Sequence, residues 1–194
     1  MLRRLYDWTM DLAAHKRASW GLSAVSFIES SVFPIPPDVL LIPMVLAERR
    51  KAWFYALLCT VASVLGGILG YGIGLFAFEQ IGQPMLELYG YAEKFSTFQD
   101  KYAEWGAWAV FIAGITPFPY KVITILSGVA ALNPVVFIVA SILARGIRFF
   151  LVAGVLWKFG EPMREFIERR LGLLTVVFCA LLVGGFVLAK FIIE

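Results

Sequence analysis

The sequence predicts an all-α integral membrane protein: an inverted repeat of interfacial helix, re-entrant hairpin and transmembrane helix, followed by a C-terminal transmembrane helix. Three observations predict it. Sixty per cent of the 194 residues are hydrophobic and mean hydropathy is +0.81, values of helical membrane proteins rather than soluble domains. Two apolar runs break on prolines, leaving limbs too short to cross a bilayer. The two broken runs also occupy corresponding positions in two similar halves of the chain.

The first element is a helix lying in the interface. Residues Met1 to Arg17 set Leu2, Leu5, Thr9, Leu12 and Ala13 on one face, with Arg3, Arg4, Asp7, Asp11, His15 and Lys16 elsewhere. Asp7, Asp11 and His15 interrupt any apolar core, and a small-residue cleavage site is missing, so this stretch is expected to be retained rather than removed as a signal peptide.

The first hairpin follows. Proline lacks the N–H of the helical ladder and its ring collides with the preceding turn, so the chain opens near Pro34 and restarts near Pro36 and Pro37. The limbs Trp20 to Phe33 and Asp38 to Leu46 rise only about 14 to 21 Å as helix, against about 30 Å of hydrocarbon. A re-entrant segment returns both its ends to one side, here the basic side marked by Arg49, Arg50 and Lys51. Ala52 to Phe78 then crosses. Ala62, Gly66, Gly70 and Gly74 recur every fourth residue, a stripe that lets another backbone approach closely, and the hairpin limbs are the expected partner.

The second half repeats the plan. Glu79 to Glu104 places Phe95, Phe98, Tyr102 and Trp105 at helical spacing among charges and reads as a second interfacial helix, on the opposite side. Ala107 to Leu132 is apolar and breaks at Pro117 and Pro119, a second hairpin by the same arithmetic. Val135 to Trp157 is long enough to span, Lys158 to Arg170 is a charged loop, and Leu171 to Ala189 spans again. The single membrane domain therefore divides into residues 1–78, an inverted 79–158 and a final helix at 171–192. Its N-terminus is expected in the cytoplasm and its C-terminus outside.

Alignment of the halves supports the repeat. Trp20-Gly21 matches Trp105-Gly106, Phe27-Ile28 matches Phe111-Ile112, and Pro34-Ile35-Pro36-Pro37-Asp38 lies against Pro117-Phe118-Pro119-Tyr120-Lys121. With one crossing between them, the halves are related by a pseudo-two-fold axis in the membrane plane. Short broken segments at matching positions then point to a transport site near the midplane.

The chemistry-bearing residues are Glu29, Asp38, Lys121, Arg145 and Arg148, all within apolar segments. Each costs at least about 2.5 to 3.5 kcal/mol at membrane depth unless it finds a partner or water. Structural ion pairing accounts for them under one reading. Under the other, their sum of one positive charge suits a phosphate-bearing headgroup, with Arg145 and Arg148 one turn apart on one face. Glu29, among Phe27, Ile28 and Val32, is the carboxylate placed to exchange a proton. Asp38 is expected to cap the restarted helix and meet Lys121.

Other functions find little support. The net charge of +3 and basic residues at segment ends set orientation rather than bind nucleic acid. Cys59 and Cys179 lack metal-ligand spacing, the lone histidine is interfacial, and no serine or cysteine has an evident base, so neither a cofactor nor an enzyme activity is expected.

The residues Glu29, Phe33-Pro34-x-Pro36-Pro37-Asp38, the glycine-rich helix, Pro117-x-Pro119-Tyr120-Lys121 and Arg145-x-x-Arg148 together resemble the DedA family, which shares the VTT (SNARE-associated Golgi protein) domain. The resemblance covers nearly the whole chain. It implies a multi-pass protein of the bacterial inner membrane with two facing hairpins, linked to moving lipids such as phosphatidylethanolamine or polyprenyl phosphate between leaflets, with proton coupling. The family's acidic residues fall on Glu29 and Asp38. Many members carry two arginines flanking the second break; here Ile115 and Thr116 occupy the region of the first and Lys121 replaces the second, which leaves Arg145 or Arg148 to supply a guanidinium. Three readings therefore stand: a lipid translocase, a proton-coupled transporter of a small ion or solute, and a membrane scaffold, each compatible with a homo-oligomer.

Overall fold

The computed structural model describes residues 18–31, 36–89, 92–116 and 118–160. The interfacial helix expected before Ala18, the C-terminal span expected at 171–192, and Pro34 and Pro117 lie outside the described residues.

All regular structure among the described residues is helical. Helix α1 (Ala18–Ser31) and α2 (Asp38–Ala47) form the first pair. A 3₁₀ turn, Arg49–Lys51, leads into α3 (Ala52–Ala77), which continues through a π-helical turn, Phe78–Gly82, into α4 (Gln83–Tyr89). Helices α5 (Ala92–Ile115) and α6 (Tyr120–Val129) form the second pair, and α7 (Pro134–Gly160) closes the described chain. Two helices are long and apolar enough to cross a membrane, Arg49–Gly82 and Pro134–Gly160; α2 and α6 are apolar but short.

Local chemistry sets the starts. Pro37 accepts at its carbonyl from Leu40 and Leu41 N–H at 3.0 and 2.9 Å, and Pro119 accepts from Val122 at 3.0 Å, so each proline stands before the helix it cannot continue backwards. Asn133 caps α7, its Oδ1 accepting from Val135 N–H at 2.9 Å, with Pro134 at the first helical position. Helix α6 ends through Ala131, which takes a φ of 51°, the left-handed value that usually calls for glycine.

The stretch Glu79 to Glu104, expected as one interfacial helix, is divided differently. Its first part extends α3 and forms α4, and its second part joins the apolar limb in a single continuous α5. No proline interrupts residues 92–115, and Gly106 serves as a contact rather than a break: a Cβ there would press on Leu132 and Tyr102. The aromatics stack on the end of α3, with Phe78 and Phe95 at 4.5 Å, then Phe95–Phe98 and Phe98–Tyr102 each at 5.7 Å between centroids.

Helix α3 is the axis. Its small-residue stripe lies against α1 and α6: a Cβ at Gly66 would strike the Phe27 carbonyl, one at Gly74 the Ile125 carbonyl, and one at Gly70 both Thr124 and the Ser30 carbonyl. The other face exposes Phe54, Leu57, Val61, Leu65, Ile68 and Ile73, an apolar surface suited to lipid tails. Helices α3 and α7 run antiparallel. Trp53 stacks with Phe150 at 6.0 Å near one end, and Tyr71 meets Phe137 at 5.2 Å near the other. Two apolar clusters result. One joins Leu22, Leu41, Met44 and Cys59 to Phe149 and Leu156; the other joins Val110, Tyr120 and Ile123 to Phe137 and Ala140.

Candidate functional site at the middle of the bundle

A polar layer built by both helix pairs and both long helices divides the two apolar clusters. Ser63 lies eleven residues into α3 and Arg145 eleven residues into α7, so each stands about 16 Å along its helix, near half of a hydrocarbon core about 30 Å thick.

Arg145 has no exposed surface. Its Nη2 meets Glu29 Oε2 at 2.6 Å, and its Nε donates to Ser63 Oγ at 2.6 Å. Ser63 and Ser30 hydroxyls are 2.6 Å apart, and Ser30 Oγ donates to the same Glu29 oxygen at 3.1 Å. Ser30 Oγ also lies 3.0 Å from the Ser26 carbonyl, a second acceptor for its one proton, and in the Ser30–Ser63 contact either hydroxyl can donate. The Arg145 guanidinium also lies over the rings of Tyr120 and Phe149, at 4.8 and 4.7 Å from their centroids. Tyr120 is itself held by a hydrogen bond from its OH to Ser141 Oγ. A buried charge is tolerated only when paired and hydrogen-bonded, and these contacts supply both conditions.

Arg148, one turn on, serves two acceptors. Its Nη2 meets Asp38 Oδ2 at 2.6 Å and its Nη1 donates to the Thr116 carbonyl at 3.0 Å. Asp38 opens α2 and Thr116 follows the end of α5, so one planar fork ties the start of one short helix to the break of the other pair. The side chains of this pair are partly exposed, at 20% and 15%, unlike the Glu29–Arg145 pair. A second tie is direct: Thr124 Oγ1 on α6 donates to the Ser30 carbonyl on α1 at 3.1 Å.

Asp38 departs from expectation on both counts. Helix α2 has no side-chain cap, and the ion pair of Asp38 is with Arg148 rather than Lys121. The guanidinium can satisfy Asp38 and the Thr116 carbonyl at once, which a single compact ammonium does with less directional fit. Lys121 sits half-buried in the first turn of α6, where its carbonyl accepts from Thr124 Oγ1 at 2.9 Å. Ser30, Ser63, Thr124 and Ser141 are not marked by the sequence as site residues, and Tyr120 enters it only within the Pro117-x-Pro119-Tyr120-Lys121 motif. Their signal is weak: Ser26 and Ser30 recur at i, i+4 beside Glu29, and Ser63 adjoins the small-residue stripe, a pattern that helix packing alone also produces.

Among the described residues, no group of three or more His, Cys, Asp or Glu could hold a metal ion. Cys59 is buried and free.

Residues 35–158 match the family model of the VTT domain. An uncharacterized protein of Haemophilus influenzae is 40% identical over 168 residues, covering 84% of this chain and 87% of its own. A homologue from Histophilus somni, also uncharacterized, is 42% identical over 168 residues with the same coverage. No solved structure matches the chain.

Proposed function

The chain belongs to the VTT-domain (DedA/SNARE-associated) family of membrane proteins, and on that premise we propose that it moves phosphate-bearing lipids between leaflets. The headgroup crosses through the polar layer while the acyl chains stay in the bilayer. The observation that carries this reading is the pair of ion pairs at mid-depth, Glu29–Arg145 and Asp38–Arg148, which join both helix pairs to α7. Charges of this kind are costly in lipid, and intramembrane ionisable groups mark substrate or proton pathways more often than they mark mere packing.

In this reading α1–α2 and α5–α6 are re-entrant hairpins, and the chain is an inverted repeat. The antiparallel α3 and α7 and the exchange of their ends between the two apolar clusters support it. The partly exposed Asp38–Arg148 pair is the entry for the headgroup. Phosphate competes for the Arg148 fork, and protonation of Glu29 frees Arg145, so phosphatidylethanolamine or a polyprenyl phosphate passes with proton coupling. The Arg49, Arg50 and Lys51 end faces the cytoplasm of a bacterial inner membrane, by the excess of basic residues on that side. The protein acts as a transporter and not an enzyme.

The scaffold reading is favoured by one specific observation, the burial of the Glu29–Arg145 ion pair with almost no exposure. Reconstitution decides between them. Liposomes carrying labelled lipids of several headgroups, across a set pH gradient, show headgroup-dependent movement for a translocase and none for a scaffold. Movement of a soluble ion without lipid movement favours the small-solute transporter.

A further inference from the structure

The two ends of α3 differ in charge. Arg49, Arg50 and Lys51 lead into it, and Lys158 stands at the neighbouring end of the antiparallel α7. Among the described residues, the acid at this end is Glu48, which meets Lys51 at 2.9 Å. Four cations against one carboxylate leave a charge of +3. Residues 161–170, next in the chain, hold as many acids as bases and leave that sum unchanged. The stretch 79–104, at the other end of α3, carries five acids and two lysines.

Two indoles stand just inside the basic end. Trp53 stacks with Phe150 at 6.0 Å, its ring lies 6.1 Å from that of Trp157, and it reaches α7 at Gly154, where an added Cβ would come within 3.3 Å. Both indoles remain half exposed, at 46% and 50%. The Arg49 guanidinium rests on Gly160, in the space that a side chain there would fill, and so holds the start of α3 to the end of α7. A helix C-terminus favours a cation in that place. Arg50 and Lys158 are exposed beside this junction.

The occupant has to suit both halves of this surface. Half-exposed indoles at a membrane boundary pack against the glycerol and upper acyl chains of lipids, and the cations above them call for net negative charge. A free anion satisfies the cations and leaves the rings bare. A zwitterionic headgroup covers the rings but brings its own ammonium into a basic rim. An anionic phospholipid meets both demands, and basic pockets between transmembrane helices are where such headgroups bind.

We propose that the joined ends of α3 and α7 form a binding site for one anionic phospholipid, its headgroup at Arg50 and Lys158 and its upper chains on Trp53 and Trp157. This lipid is a resident of the interface rather than a molecule in transit, since Ser63 and the polar layer lie about 16 Å further along α3. The site therefore stands whether or not the protein moves lipids.

Tryptophan quenching tests it. The full-length protein is reconstituted in phosphatidylcholine bilayers holding a minor share of phosphatidylglycerol brominated high on its acyl chains, and quenching is compared with that from an equal share of identically brominated phosphatidylcholine. Phosphatidylglycerol is expected to quench in excess. That excess is lost in Arg50→Gln with Lys158→Gln, which alters exposed side chains alone, and most of it is lost in Trp53→Phe with Trp157→Phe, which removes the reporters. Lys94→Gln with Lys101→Gln takes the same charge from the other end and keeps the excess. Brominated phosphatidylethanolamine quenches like phosphatidylcholine. Equal quenching by phosphatidylglycerol and phosphatidylcholine overturns the site, as does an excess that survives Arg50→Gln with Lys158→Gln. An excess that falls as far in Lys94→Gln with Lys101→Gln also overturns it, because the whole protein's charge then attracts the lipid. So does phosphatidylethanolamine that quenches as strongly as phosphatidylglycerol.

Discussion

The Glu29 carboxylate and the Arg145 guanidinium, 116 residues apart in the chain, meet at 2.6 Å where neither has appreciable contact with solvent. Removing one partner of such a pair strands the other. We expect Glu29→Gln to lose on the order of 3 to 5 kcal/mol of stability and Glu29→Gln with Arg145→Gln to recover most of it. Thermal unfolding of purified single and double variants measures this. A single variant as stable as the wild type would show that the pair is not formed in the membrane.

Arg148 joins Asp38 to the Thr116 carbonyl, so it ties the start of α2 to the residue that follows α5. A cysteine pair at Ile35 and Phe118 is expected to crosslink in the wild-type background and to crosslink less in Arg148→Gln. Because this pair is partly exposed, Asp38→Asn costs less stability than Glu29→Gln. Crosslinking yields unaffected by Arg148→Gln would mean that other contacts set the approach of the tips.

Two glycines on α3 give a paired test. At Gly70 an added side chain meets Thr124 and, at 3.1 Å, the Ser30 carbonyl, whereas at Gly72 nothing lies within 4 Å. Gly70→Leu is expected to lose at least about 1 to 3 kcal/mol through overpacking. Gly72→Ala is expected to be neutral or to gain up to about 1 kcal/mol in helix propensity. Equal tolerance at both positions would place the packed face of α3 elsewhere.

Ala131 bears a φ of 51° at the end of α6. Relief of that backbone strain makes Ala131→Gly stabilising by roughly 1 kcal/mol, readable as a higher unfolding temperature. A drop in stability would contradict the left-handed turn.

Much of this arrangement is legible in the sequence because its causes are local. Proline chemistry fixes the starts of α2 and α6, and Asn133-Pro134 announces α7 by a cap and a first-turn proline. The charges stand out because ionisable residues are rare in apolar segments. Their partners are not legible, since which residue Asp38 reaches depends on how α7 is rotated and on how close the two breaks approach. That is why Arg148, rather than Lys121, holds it. The hydroxyls of Ser30 and Ser63 are silent for a different reason: small residues in a packed helix look alike whether they merely permit close approach or hydrogen-bond a buried charge. The continuity of α5 was hidden by Trp105-Gly106, where glycine accommodates Leu132 and Tyr102 without ending the helix.

The proposed function rests on the paired charges of the polar layer carrying a lipid headgroup across the membrane. The most direct measurement is the rate at which labelled lipids change leaflets in liposomes containing the wild-type protein or Glu29→Gln, across a series of external pH values. Phosphate-bearing lipids are expected to exchange faster with the wild type, dependent on pH, and the rate in Glu29→Gln no longer to follow pH. Folded wild-type protein that moves no lipid at any pH, or a Glu29→Gln profile that still tracks pH as the wild type does, contradicts it.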